Sequence, residues 1–139
     1  MRALAQLLAT LAAALVLSAA ADAQSLGCQG AQKPQQVAEL IFGRGVRARI
    51  GVSDTDWMLF VDDEITPRFP DGLTVYEAAG QWRDKASNKI FRERSRIALI
   101  VLPGNADDLA RLNEVAEAYK RRFRQQSVGM IVRPACVSF

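Results

Sequence analysis

Apolar residues fall into six successive patterned segments between residues 37 and 133 of the chain. Short runs of alternating or continuous apolar positions are typical of strands, whereas apolar residues that recur every three to four positions are typical of helices. The pattern predicts strands at 37–44, 73–83, 89–102 and 127–133, with helices at 54–65 and at about 105–124. The predicted order is therefore strand, helix, strand, strand, helix, strand.

Short polar signals mark the predicted boundaries. Ser53 followed by Asp56 matches a capping box at the start of the first helix, and Asn105 followed by Asp108 repeats that pattern at the second. Pro67 ends the first helix, because the residue before a proline is disfavoured in the helical conformation. A turn follows at residues 70–72, and Gly80 within the second strand predicts a bulge or bend.

This order of elements predicts an α+β domain with a ferredoxin-like β-α-β-β-α-β topology. The expected sheet is antiparallel and four-stranded, with spatial order 4-1-3-2 and both helices on one face. In this arrangement Cys28, before the first strand, and Cys136, after the last, lie at the same edge of the sheet. We therefore expect a disulfide between them. The alternative, a redox-active thiol, lacks a CxxC partner.

With both helices on one face, the second face of the sheet has no cover from them. The first, third and fourth strands carry apolar residues on both faces, and a large bare apolar patch is unusual on a soluble monomer. A homodimer that stacks sheet on sheet would cover it. Cover by residues 24–36 together with the C-terminal tail is the alternative.

The N-terminal 23 residues read as a secretory signal peptide, with an apolar run that ends in the small residues Ala21-Asp22-Ala23. We expect a mature domain at 24–139, a periplasmic or secreted location, and no membrane span after cleavage. Two alternatives stay open: the apolar run acts as a membrane anchor, or Cys28 carries a lipid.

The amino-acid composition excludes several classes of catalytic and metal site. The chain contains no histidine, which excludes nucleophiles activated by imidazole and the commonest zinc ligand sets, so we expect no metal and no cofactor. The formal net charge is only +3. A basic run at 120–124 ends the second helix, where cations complement the helix dipole, and no nucleic-acid-binding motif accompanies it.

Four residues are predicted to meet at one end of the sheet: Arg44, Trp82, Arg83 and Glu93. Glu93 shares a strand face with apolar residues and needs a partner, so a structural ion pair with Arg44 or Arg83 is one interpretation. The other is a small cationic pocket, floored by Trp82, that binds an anionic or sugar-like ligand. A catalytic version would use Glu93 as general acid or base.

No second catalytic group accompanies Glu93 in the sequence. A glycosidase needs two carboxylates at a defined separation, and although Glu39 and Glu77 are available, their spacing does not select either.

Several motifs carry a resemblance to a known family: FGR in the first strand, ITPRFPDGLTV, GQWR, RERS, YKRRFRQQSV and the cysteine near the C-terminus. In these motifs the chain resembles a bacterial exported family known as domain of unknown function 3574. The resemblance implies a small envelope or secreted domain without an assigned catalytic residue. We therefore expect a non-catalytic, disulfide-stabilised binding or accessory module, with a small cofactor-independent enzyme as the alternative.

Overall fold

The computed structural model describes residues 27–46 and 49–139, so the proposed signal peptide lies outside the described residues. The strands and helices follow the predicted order. They are β1 (Lys33–Gly43), α1 (Asp54–Phe60, continued by a π-helical turn Val61–Ile65), β2 (Thr74–Arg83), β3 (Ile90–Val101), α2 (Asp108–Phe123) and β4 (Gly129–Val137).

The four strands form one antiparallel sheet with the order β2-β3-β1-β4. Read from the other edge, this is the predicted spatial order 4-1-3-2. The α+β class is confirmed. The chain also forms a two-residue ladder between Gly45–Val46 and Arg49–Ile50, in the loop that follows β1.

Strands β1 and β4 extend further than the sequence predicts, β1 at its start and β4 at its end. The pairing of β1 with β4 runs from Lys33 opposite Val137 to Ile41 opposite Gly129. Residues 33–36 are mostly polar and mostly exposed, so no apolar pattern reveals them, but the backbone of β4 supplies their pairing. Residues 33–36 and 134–137 are strands within the sheet, so these parts of the two segments proposed as an alternative cover, residues 24–36 and the C-terminal tail, do not fold across its second face.

One face of the sheet carries the hydrophobic core. Alternate residues of a strand point to the same face, and Ala38, Leu40 and Phe42 of β1 are fully buried there. The ring of Phe42 packs edge-on against Trp57 of α1 and Tyr119 of α2, at centroid distances of 5.0 and 4.7 Å. The helices also contribute Phe60, Ile65, Leu112 and Val115 to this core. Both helices therefore cover the same face of the sheet.

The start of α1 is capped as predicted. The backbone N–H of Asp56 donates to Ser53 Oγ at 3.1 Å, and the backbone N–H of Ser53 donates to Asp56 Oδ2 at 3.1 Å. At α2 the predicted pair forms only one of its two bonds: Asp108 Oδ2 accepts from Asn105 N–H at 2.9 Å. The N-cap position is occupied by Asp107 instead, whose side chain makes no capping bond.

The two cysteines form the predicted disulfide. Cys28 and Cys136 are bonded with their Cα atoms 5.4 Å apart and 108 residues apart in sequence. The bond lies where the chain enters β1 and leaves β4, so it closes almost the whole domain into one loop.

The other face of the sheet, which we call the open face, is largely apolar. It carries the half-buried Ile41, Ile97, Leu99 and Val101, and the exposed Tyr76 and Ile131. None of these side chains belongs to the buried core beneath the helices. Separately, no described helix is long and apolar enough to cross a membrane.

Removal of the disulfide tests how far it stabilises the fold. Replacing Cys136 by Ala frees the unfolded chain from a loop of 108 residues, so we expect the free energy of unfolding to fall by on the order of 4 to 5 kcal/mol. Urea denaturation followed by circular dichroism measures the change. The Cys28→Ala/Cys136→Ala double variant should match the single variant, and a loss below about 1 kcal/mol would contradict the expectation.

Candidate functional site

The fold separates the four predicted site residues. Residues paired across an antiparallel sheet share a face, and Trp82 pairs with Phe91 while Gly80 pairs with Glu93. These positions alternate in step with Ile97 and Leu99, so Trp82 and Glu93 lie on the open face. The Arg44 side chain instead contacts Val52 and Asp54 near the start of α1.

Arg44 is a buried structural residue, with 6% of its surface exposed. Its Nε and Nη2 atoms donate to Val52 O at 2.9 and 2.8 Å, and Nη2 lies 2.9 Å from Asp54 Oδ1. Its Nη1 atom lies 3.8 Å from Glu77 Oε1, so the guanidinium faces the loop before α1, the first residue of α1 and β2. The predicted ion pair between Arg44 and Glu93 is wrong.

Asp54 contacts a second arginine as well, Arg96 of β3, and so links it to Arg44. Arg96 Nη2 donates to Asp54 Oδ1 at 2.6 Å and also lies 2.9 Å from Glu77 Oε1. The hydrogen bond from Arg96, followed by the attraction of Arg44, lowers the pKa of Asp54 below its ordinary value. This ionic cluster fastens the first turn of α1 to the edge of the sheet.

Arg83 stabilises the hairpin between β2 and β3. Its Nη1 atom donates to Asn88 O at 3.3 Å and to Asn88 Oδ1 at 3.1 Å. Asn88 needs such support because its φ of 55° is in the left-handed region. Arg83 therefore does not form the alternative ion pair with Glu93, and neither arginine contributes to the predicted cationic pocket.

Glu93 is held by two N–H donors from other segments. Its Oε1 atom accepts from Trp82 Nε1 at 3.1 Å, and its Oε2 atom accepts from the backbone N–H of Gly45 at 3.2 Å. The side chain is half-buried. It thus fixes the orientation of the Trp82 ring and joins the end of β1 to β3. Each carboxylate oxygen can accept a further bond from a ligand.

Gly43 makes room for this carboxylate. A Cβ atom at position 43 would lie 2.9 Å from both oxygens of Glu93, so the carboxylate would have to move. The backbone carbonyl of Gly43 accepts from the Tyr119 hydroxyl at 2.9 Å. Burial of that hydroxyl raises the pKa of Tyr119. The glycine is required by the position of Glu93 rather than by a turn.

A cavity of about 490 Å³ is lined by Gly80 and Glu93 together with Ala79, Gln81, Arg92 and Arg94. On the open face, small residues surround Glu93, and we call the strip that they form the trough. Its floor is formed by Gly43, Ala78, Gly80 and Ser95, which lie in two adjacent cross-strand rows. Gly80 pairs in register with Glu93, so the predicted bulge there is wrong. One end of the trough is bounded by Trp82 and the other by Tyr76, about 20 Å away at 3.3 Å per residue.

The Trp82 end of the trough is an exposed aromatic pair. The rings of Trp82 and Phe91 stack with centroids 5.1 Å apart, and they are 43% and 39% exposed. Sequence reasoning missed Phe91. The alternation of Phe91, Glu93 and Ser95 along β3 was the available signal, but only the pairing register places Phe91 opposite Trp82.

A second polar group interrupts the apolar middle of the open face. Glu39 Oε1 accepts from Arg133 Nη2 at 2.9 Å, and Glu39 Oε2 accepts from the Tyr76 hydroxyl at 3.4 Å. The pKa of Tyr76 is raised, first by burial of the Tyr76 hydroxyl and second by the nearby charge of Glu39. Among the described residues, no group of three or more acidic or cysteine side chains is arranged to hold a metal ion.

Comparison with known proteins identifies the family and the fold. Residues 37–139 match the sequence profile of a family described as "Protein of unknown function (DUF3574)". No curated protein matches the chain in sequence.

Two solved structures show a similar fold. A phage SAM lyase in complex with S-methyl-5'-thioadenosine superposes with a TM-score of 0.58 at 17% identity, covering 81% of this chain and 93% of the lyase. A phage SAM lyase in the apo state gives a TM-score of 0.54, also at 17% identity, covering 82% and 91%. At this identity the similarity concerns the fold alone.

Substitution of Gly43 tests the arrangement of Glu93. In Gly43→Ala the new Cβ displaces the carboxylate, so the Trp82 indole loses its acceptor and its N–H resonance should shift. We expect a loss of about 1 to 2 kcal/mol in the free energy of unfolding, since charge-assisted hydrogen bonds are lost. In the control Gly80→Ala, the Cβ makes only an ordinary contact of 3.5 Å with Ser95 Oγ. An unchanged Trp82 resonance in Gly43→Ala would contradict the arrangement.

Proposed function

We propose that this chain, which belongs to the DUF3574 family of proteins of unknown function, is an exported, non-catalytic binding module. The observation that carries the proposal is the trough on the open face. There an exposed aromatic pair, Trp82 and Phe91, lies beside a carboxylate whose position is fixed by two N–H donors. A rigid aromatic surface next to a fixed polar group is the arrangement that orients a bound ligand.

The lining of the trough favours a neutral, sugar-like ligand over an anionic one. Trp82 and Phe91 offer ring faces for the C–H groups of a sugar, and the free lone pairs of Glu93 accept hydrogen bonds from hydroxyl groups. The two arginines of the predicted cationic pocket are engaged elsewhere, by Asp54 and by Asn88. Arg92 and Arg94 flank Glu93 but alternate with it along β3, and Arg94 is paired with Glu77. The Glu93 carboxylate on the open face repels an anion.

The proposed setting is the periplasm or the cell exterior. The signal peptide remains a prediction, because residues 1–23 lie outside the described part of the structure. The disulfide between Cys28 and Cys136 supports this setting, since disulfides persist in oxidising compartments and are rare in the cytosol.

A small cofactor-independent enzyme that uses Glu93 as acid or base is the second candidate. The fold shared with the phage SAM lyases favours it, because that fold supports catalysis in those proteins. The contacts of Glu93 favour the binding role. Both of its oxygens accept N–H groups of the protein itself, as expected for a positioning carboxylate. The carboxylate at the Tyr76 end of the trough, Glu39, is paired with Arg133.

Binding at the trough is testable by NMR, because the chain has two tryptophans and Trp57 is buried in the core. The N-acetylglucosamine trisaccharide should shift the Trp82 indole resonance in a saturable way, while the Trp57 resonance stays in place. Phe91→Ala should weaken binding about tenfold, by loss of one ring face. The control Met58→Ala, at an exposed position of α1, should bind as the unmodified protein does.

Two other probes, inorganic phosphate and S-adenosylmethionine, test the ligand class and the non-catalytic role. A Trp82 shift with inorganic phosphate but not with the trisaccharide would contradict the sugar-like ligand. Conversion of S-adenosylmethionine that disappears in Glu93→Gln would contradict the non-catalytic role.

The proposed partner of the open face is a second copy of the chain. Its apolar middle, formed by Ile41, Ile97 and Ile131, is typical of a surface that is covered in the functional assembly. Glu39 and Arg133 carry opposite charges and suit a twofold axis. In a symmetric dimer, Glu39 of one copy would lie near Arg133 of the second copy, and Arg133 of the first near Glu39 of the second. The Trp82 end of the trough, near the hairpin, stays accessible in such a dimer.

Sedimentation equilibrium tests the dimer. The unmodified protein should associate at tens of micromolar, and Ile131→Lys should weaken association at least about tenfold, because it buries a charge in the apolar middle. The control Leu109→Lys lies on an exposed position of α2, away from the sheet, and should leave association unchanged. A monomer at all concentrations would contradict the dimer.

A further inference from the structure

A separate cavity lies at the end of the open face opposite the trough. Its volume is about 540 Å³, which is within the range of small-molecule sites. Ten residues line it: Gln35, Asp71, Gly72, Leu73, Thr74, Leu99, Val101, Leu102, Pro103 and Phe139. It is distant from Phe91 at the trough, since ten residues of β3 between Phe91 and Val101 span about 33 Å.

The cavity follows from the unequal lengths of two neighbouring strands. β2 begins at Thr74, which pairs with Leu99, whereas β3 continues to Val101 without a partner on that side. The chain before β2 turns away instead of extending the strand, and Gly72 has a φ of 127°, which favours glycine. The space that β2 would have filled is therefore left open beside the end of β3.

The walls of this cavity are apolar and its rim is polar. Leu73, Leu99, Val101 and Leu102 supply branched aliphatic side chains. The polar side chains in the lining are those of Gln35, Asp71 and Thr74. A site of this composition takes a molecule with an apolar body and one polar head group.

The charge on the rim of the cavity determines which head group a ligand can carry. Asp71 is the only charged side chain among the ten lining residues, although the whole chain carries a net charge of +3. It is exposed, and none of the salt bridges between described residues includes it. An anionic head group would meet a carboxylate without a neighbouring lysine or arginine. A cationic head group would be attracted to it.

From this geometry we infer that the cavity is a second ligand site, which binds a small amphipathic amine. The apolar body lies against Leu99 and Val101, and the ammonium group lies at Asp71. Gln35 and Thr74, the other polar side chains of the lining, offer further hydrogen-bond acceptors. The inference concerns different residues from the trough and does not rest on the binding of a sugar there.

Probes with one tail and three head groups test this inference. Octylammonium, octanol and octanoate are titrated below their aggregation concentrations while backbone amide shifts are recorded by NMR. We expect the amides of Gly72, Thr74 and Val101 to shift saturably, with octylammonium binding tightest and octanoate weakest. Equal affinities for the three probes, or no saturable shift, would overturn the inference.

Matched acid-to-amide variants test the head-group contact. Asp71→Asn should weaken octylammonium binding about two- to fivefold, the range expected for an exposed ion pair, and should leave octanol binding unchanged. Asp62→Asn, at an exposed acidic position of α1, is the control and should change neither. Equal effects of the two variants would overturn the assignment of Asp71.

A lysine within the cavity tests its location. Val101→Lys should abolish the binding of octylammonium and octanol, while an unshifted Trp57 indole resonance shows that the core is intact. Should this variant fail to fold, Leu73→Lys makes the same change on the loop before β2. Retained binding in a folded lysine variant would show that the probes bind elsewhere, and the inference would be wrong.

Discussion

A four-stranded sheet has two faces, and in this protein both helices pack against only one of them. The central strand β1 is apolar on both faces. Leu40 and Phe42 lie beneath the helices, whereas Ile41 lies on the open face. The apolar area left on the open face has no cover from the described helices. The two proposed ligand sites and the proposed partner surface all follow from this one constraint, because they occupy successive parts of the same face.

Within that face, the placement of small residues decides where a ligand can lie. Gly43 and Gly80 remove side chains from two adjacent rows, and the carboxylate of Glu93 occupies part of the space above Gly43. The carboxylate in turn orients the Trp82 ring through its indole N–H. At the far end, the early start of β2 leaves a cavity instead. Among the described residues, the middle of the face carries the Glu39–Arg133 pair and the Tyr76 hydroxyl amid apolar side chains, as expected for a contact surface whose register must be fixed.

The sequence was sufficient for the fold because periodicity, caps and cysteine positions all agreed on one topology. It was insufficient for the site because a residue's face depends on register. Arg44 and Glu93 were expected to meet, but the chain leaves β1 at Gly43, and the Arg44 side chain is drawn to Val52 and Asp54 instead. Trp82 and Glu93 were correctly brought together. Phe91 was missed, because only the pairing of β2 with β3 places it opposite Trp82.

Hydroxyl-radical labelling followed by mass spectrometry tests the central claim, that the open face is the surface through which this protein meets other molecules. The account predicts that Tyr76 and Ile131 become protected as the protein concentration rises, because their face is covered by another copy. Met58 and Leu109, which are exposed on the helices, should be labelled equally at all concentrations. Labelling of Tyr76 and Ile131 that does not depend on concentration, or protection confined to Met58 and Leu109, would contradict the account.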